Sequence, residues 1–228
     1  MTEREFLRLH IEAVWGISVP PLDAASVELS PDAALPPWQL YLARLATGEQ
    51  VTLWRTDASA ERRADALRRE RIAGDTFDPA LGMSREVVLW QTGATTSAPT
   101  PNPGARLLTA DDAALVDAFE AGTVPYFLDP QRAPCFGVIL DGRLVTVAHS
   151  SRRTRAACEL GINTLPDARQ RGYARAATLA WTAAVRSESL TPIYSAFAWN
   201  TASLRLAAAT GYRAVSRSIY GPVRAARE

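Results

Sequence analysis

An apolar, strand-like run from Ala157 to Leu165 leads through the basic turn Arg169-Gln170-Arg171-Gly172-Tyr173-Ala174 into a helical stretch ending near Ser187, and no other segment constrains the chain as much. A strand that ends in a glycine-containing turn and opens a helix leaves the first helical N–H groups without intrahelical partners. The positive end of the helix macrodipole lies with them, so such an end takes phosphate. Gly172 has no Cβ to hold a ligand off the backbone, and small Ala174 acts the same way one step later. Arg169, Arg171 and Arg175 add charge suited to a polyanion. The plainer alternative is a solvated helix start with surface arginines.

Composition bounds the rest. The 228 residues are 47% hydrophobic and 21% charged with a net charge of +1, the profile of a folded globular chain. A near-neutral balance gives no global pull toward nucleic acid or anionic membrane, so an anion site must be local. Cys135 and Cys158 sit in apolar strand-like runs and read as buried free thiols of a reducing compartment rather than a disulfide or a nucleophile. With only two histidines beside them, no metal site is suggested. No apolar run approaches transmembrane length, and the start Thr2-Glu3-Arg4-Glu5 does not resemble a secretory signal. A cytoplasmic protein is expected, with no membrane partner.

The composition shifts at Gln91–Ala105, where prolines 99, 101 and 103 stand among threonines. This predicts a Pro/Thr-rich linker over 91–105 between residues 1–90 and 106–228. Before it, Glu3–Trp15 reads as a helix, and Val51–Trp54 and Arg85–Trp90 as strands. A further helix is predicted from an Asp57 cap through Ile72, closed by Gly74. This first part is expected to be an additional α/β domain. Its second helix carries Arg62, Arg63, Arg68, Arg69 and Arg71, but Asp65 can pair with Arg69, and such a charge run is usually a solvated face, so no nucleic-acid partner is expected. Trp15 and Trp38 read as packing anchors.

After the linker come a short strand at Arg106–Leu108 and a capping-box-like start at Thr109. A helix with Ala114, Leu115, Ala118 and Phe119 on its apolar face runs from there to Gly122. Strands Cys135–Leu140 and Arg143–His149 are joined by Asp141-Gly142, a strong hairpin signal. The Ala156–Leu165 strand follows, then the helix opened by Gly172, with Tyr173, Ala177, Ala180, Trp181 and Ala184 as its apolar face. A strand to Trp199, a helix over Thr201–Ala209 and a strand over Tyr212–Ile219 complete the chain. The class is α+β, with a mixed, mostly antiparallel sheet flanked by helices on both faces.

Arg169-x-x-Gly172-x-Ala174 resembles the Arg/Gln-x-x-Gly-x-Gly/Ala signature of the GNAT superfamily of acyl-CoA-dependent N-acetyltransferases. Upstream, Glu159-Leu-Gly-Ile-Asn-Thr-Leu-Pro166 is similar to the family's fourth strand and the turn after it. Downstream, Asn200-Thr-Ala-Ser203 and Thr210-Gly211-Tyr212 are similar to its late helix and Gly-Phe/Tyr ending. The resemblance covers the residues after the linker. It implies acetyl-CoA as acyl donor, with the pyrophosphate on the N–H groups of Arg171, Gly172, Tyr173 and Ala174 near Arg169 and Arg175. It places the pantetheine arm against the main chain of Asn163, Thr164 and Leu165, facing Asn200 and Ser203. Asn200 also has a sufficient structural role as a helix cap. The acceptor implied is a primary amine of a small molecule or peptide, attacked directly, with no metal. A homodimer is compatible with this reading. Residues 1–90 are then either a degenerate copy of the same fold or an accessory domain that shapes the acceptor site.

Glu159 is a lone carboxylate in an apolar strand. Burial would suit it to accept a proton from an ammonium, and the resemblance implies that role for a carboxylate on this strand. The alternative is an acid paired with Arg152, Arg153 or Arg155. His149 is a second candidate base, although a lone histidine at a strand end is usually structural. Many family members carry a tyrosine, as acid for the leaving thiolate, near the position of Ala207. Here Leu206-Ala207-Ala208-Ala209 has none, leaving Tyr212, Tyr220, Ser203 or no dedicated acid. That departure supports an alternative, a non-catalytic acyl-CoA-binding regulatory module.

Overall fold

The computed structural model describes residues 1–29, 35–73, 84–91 and 104–221, with the backbone alone for residues 69–73. Most of the predicted linker, the Gly74 cap and the side chains of Arg69 and Arg71 lie outside the described residues. The strands are β1 Ser26–Leu29, β2 Leu40–Leu45, β3 Gln50–Arg55, β4 Ser84–Trp90, β5 Arg106–Leu107, β6 Cys135–Leu140, β7 Arg143–Arg153, β8 Ala157–Thr164, β9 Thr191–Phe197 and β10 Arg213–Gly221. The helices are α1 Glu3–Trp15, α2 Ala60–Ala73, α3 Ala113–Phe119, α4 Val124–Phe127, α5 Tyr173–Ser187 and α6 Thr201–Ala209. Two compact units result. Met1–Trp90, Ser195–Leu204 and β10 belong to one, and Gln91–Tyr194 with Arg205–Tyr212 to the other.

In the first unit the strand order is β1-β3-β2-β10-β4. The last strand, expected among residues 106–228, is antiparallel to both β2 and β4. Six of its nine residues are buried, as suits a strand with neighbours on both edges. Local alternation says that such a strand exists but not which strands flank it. A chain lacking residues 1–90 would leave β10 with neither neighbour. α1 starts at a capping box between Thr2 and Glu5 and stops at left-handed Gly16. Trp15 and Trp38 meet edge to face, and Tyr41 stacks on Tyr220, so the two tryptophans are indeed packing anchors. His10 and Tyr41 both bond the buried Glu86 carboxylate, which satisfies polar groups that would otherwise be costly in this core. On α2, Ser59 rather than Asp57 bonds the first turn, because Asp57 is engaged by Arg55. Arg63 bonds Glu28 and lies 5.6 Å from the Trp54 ring, while Arg68 bonds Asp65. Those arginines lie against their own unit, as a solvated structural face does.

In the second unit the order is β9-β8-β7-β6-β5. The β8–β9 pair is parallel and the rest antiparallel, which is the mixed, mostly antiparallel sheet expected. Asp141 and Gly142, at φ 47° and 77°, make the β6–β7 turn, the backbone of a type I′ hairpin. Helix α5 covers one face through Trp181, whose Nε1 donates to Ser150 Oγ. Its buried residues are Ala176, Ala177, Thr178, Trp181, Thr182 and Val185. The face is therefore rotated from the predicted one, because two threonines are buried where Ala180 and Ala184 were expected. Thr182 bonds Tyr212 Oη at 2.8 Å. On the other face, Val116 of α3 and Phe127 of α4 pack with Cys135 and Val147. Both cysteines are free and buried, and burial drives the Cys135 thiol up to about 12. Among the described residues no helix is long and apolar enough to cross a membrane, and no cluster of His, Cys, Asp and Glu could hold a metal.

Candidate active site

The turn before α5 leaves the start of that helix uncapped, a geometry that suits an anion. Gln170 and Gly172 both take left-handed backbone, at φ 61° and 83°. Gly172 is the N-cap of α5, and no side chain caps the helix there. Ala176 N–H makes the first intrahelical bond, to Gly172 O, so the preceding N–H groups at this end point outward. Arg169 turns back, its Nε donating to Thr164 O at 3.3 Å, which ties the turn to the end of β8. Arg171 is exposed, and its charge helps hold the Asp167 carboxyl below its ordinary range after the larger effect of Arg143. Arg175 differs from expectation: its Nε donates to Ala209 O at 3.2 Å, at the carbonyl end of α6. It braces the end of that helix.

One edge of β8 leads into this turn. β8 and β9 pair only at Ala157↔Thr191, Cys158↔Pro192 and Glu159↔Ile193. Beyond Glu159 the strand continues to Thr164 while still paired on its other side with β7. Leu160 to Thr164 thus present main-chain groups along the β9 side, where an extended, amide-bearing arm can add like a strand. Asn163 is exposed, Thr164 shares a 3.1 Å hydroxyl contact with Thr146, and Leu165 N–H bonds Val145 O. The turn and this edge are brought together within one unit. Asn200 and Ser203 lie in the other, where Asn200 Oδ1 accepts from Ser203 N–H at 3.1 Å, the capping role anticipated for it.

Glu159 is buried, 5% exposed. A β-bulge in β7 between Ser150 and Arg152 brings two consecutive residues opposite it. Ser151 Oγ donates to the carboxylate at 3.0 Å and Arg152 approaches at 3.3 Å. Glu159 therefore combines both readings drawn from sequence, a buried carboxylate and an arginine partner. Of the tyrosines considered as acid, Tyr212 is a core residue whose phenol burial holds protonated. Tyr220 stacks in the aromatic core of the first unit. Ala207 is fully buried, and its carbonyl accepts from Tyr212 N–H, so it serves packing.

Two further residues complete this face. His149 lies over Gly161, where a Cβ would come within 2.4 Å of the imidazole. A glycine inside an apolar strand is the signal that could have pointed to such a close approach. Tyr126, not singled out in the sequence, puts its hydroxyl 3.3 Å from His149 Nε2. Burial, followed by the nearby Arg132 charge, pushes His149 down to about 4 from its ordinary 6.5. Between those values an unfolded chain takes up a proton that the folded one refuses, so stability present above pH 6.5 is lost as pH falls toward 4. Denaturant unfolding should thus show about 2 kcal/mol of this component lost between pH 7 and 5. A His149→Gln chain should lack that component. An unchanged pH slope in the variant would remove the imidazole as its source.

Residues 121–219 match the family model described as GNAT acetyltransferase. Among solved structures, a GNAT-family protein from Novosphingobium aromaticivorans DSM 12444 is 23% identical, with a TM-score of 0.49 over 60% of this chain and 63% of its own. The chain thus spans less than two thirds of that protein. A GNAT-family acetyltransferase from Colwellia psychrerythraea is 12% identical, with a TM-score of 0.52 over 74% and 75%, and shares the fold. An aminoglycoside N-acetyltransferase in complex with CoA is 19% identical, with a TM-score of 0.40 over 48% and 90%. No curated protein matches the chain's sequence.

Proposed function

We propose that this chain, which carries a GNAT acetyltransferase domain at residues 121–219, moves an acetyl group from acetyl-CoA to a primary amine of a small molecule or peptide. The observation that carries the reading is the continuity of an unpaired β8 edge with an uncapped, left-handed helix start at Gly172. An edge that binds amides and an N-terminus that binds phosphate, in that order along the chain, fit a pantetheine arm followed by a pyrophosphate. Arg169 and Arg171 are both exposed at this turn, and Arg169 also ties it to the end of β8.

Glu159 stands where the β8–β9 ladder ends. There it accepts a proton from the attacking ammonium, directly or through water. The freed amine forms a C–N bond to the thioester carbonyl carbon, the C–S bond breaks to release the thiolate, and the proton shed by the new amide nitrogen passes to that thiolate. Ser151 and Arg152 hold the carboxylate in place through this step. A strand N–H beside the opened ladder is suited to stabilise the oxyanion. The test is release of free thiol from acetyl-CoA in the presence of a panel of diamines, amino sugars and lysine peptides. Amine-dependent release supports the reading. Binding of acetyl-CoA with no release on any amine would favour a regulatory acyl-CoA-binding module instead.

A further inference from the structure

A half-exposed phenol is unusually well fixed beside the Glu159 strand. Tyr126 is 39% exposed, yet three separate contacts hold it. Its ring meets the His149 ring edge to face at 5.2 Å and Phe127 at 5.4 Å. The Arg132 guanidinium lies 4.7 Å from the ring centroid. Arg132 also donates to Ser151 O at 2.6 Å, and Ser151 Oγ in turn holds the Glu159 carboxylate. A continuous chain of contacts thus runs from the half-exposed Tyr126 ring through Arg132 and Ser151 to the buried Glu159 carboxylate, all within one unit.

The direction of the Tyr126 hydroxyl follows from His149. The imidazole is 5% exposed, and its Nδ1 has no hydrogen-bond partner among the described residues. In the neutral ring one nitrogen carries the proton and the other accepts. Bare N–H groups are the rarer vacancy in protein interiors, as backbone groups show, and a bare acceptor is better tolerated. With the proton on Nε2, the imidazole donates to Tyr126 Oη at 3.3 Å and the bare Nδ1 is an acceptor. In that tautomer the phenolic hydrogen is free to point away from the histidine.

We propose that Tyr126 contacts the acyl acceptor by donating this hydroxyl to an oxygen next to the reacting amine, and that His149 is the positioning residue that aims it. The acceptor class is then an amine bearing a nearby carbonyl, hydroxyl or ether oxygen. The proposal rests on the acetyltransferase reading for its substrate but not for its geometry. Gly161 is part of the device, because any side chain there would displace the imidazole.

Two measurements on the full chain test it. In protein labelled with ¹⁵N-histidine, the His149 signal, identified by its loss in His149→Gln, should report the Nε2–H tautomer at pH 7. An Nδ1–H tautomer would overturn the proposal whatever the protein catalyses. In turnover, Tyr126→Phe should raise the amine KM roughly three- to tenfold, the worth of one neutral hydrogen bond, with the acetyl-CoA KM unchanged. His149→Gln should shift the amine KM in the same direction, and the double variant should be no worse than Tyr126→Phe alone. An unchanged amine KM in Tyr126→Phe, with 2-methoxyethylamine and n-butylamine still used in the wild-type ratio, would overturn it. If the wild-type chain binds acetyl-CoA but acetylates no amine, the acetyltransferase reading falls instead, and the tautomer alone decides the pair.

Discussion

A folded Gly172→Glu chain is expected to bind coenzyme A at least tenfold more weakly than the parent, a loss of about 1.4 kcal/mol or more. Two effects add. Gly172 sits at φ 83°, where a residue with a Cβ is disfavoured by roughly 1–2 kcal/mol. The new carboxylate also stands at an uncapped helix start, where it competes for the N–H groups and repels the pyrophosphate. Gly172→Ala separates the contributions, since it carries the backbone strain without the charge. It should weaken binding less than Gly172→Glu. Calorimetry that finds parental affinity in a folded Gly172→Glu chain would remove the Gly172 turn from the account.

The other large effect is expected at Glu159. Glu159→Gln keeps the size of the side chain and an oxygen for Ser151 Oγ, but cannot take a proton from the amine. Turnover should fall about 10²-fold or more while coenzyme A affinity is unchanged. A steady-state assay across pH checks both points. Parental turnover at every pH would make Glu159 a structural partner of Ser151 and Arg152 and nothing more.

What could be read from sequence follows a physical division. The Asp141-Gly142 hairpin, the start of α5 at Gly172 and the burial of Glu159 depend on local chemistry or on the pattern of a single strand. Each was legible. The place of β10 between β2 and β4 was not, because strand pairing at that separation leaves no trace in local periodicity. The phase of α5 was misplaced for a related reason. Thr178 and Thr182 are buried against partners such as Tyr212 that the helix's own pattern cannot reveal. The Arg175 bond to Ala209 O joins residues far apart in the chain and has no local sequence signal. The Ser151 bulge and Tyr126 went unseen, although Gly161, a glycine inside a strand, marked the place where His149 approaches.

The account stands or falls on where coenzyme A lies. A crystal structure of the chain soaked with coenzyme A should place the pyrophosphate within hydrogen-bond reach of the backbone N–H groups of residues 171–174. The pantetheine amides should lie along the β9 side of Leu160–Thr164, with the thiol end near Glu159. Coenzyme A bound elsewhere, or a pyrophosphate held by side chains with those N–H groups left to solvent, would contradict it.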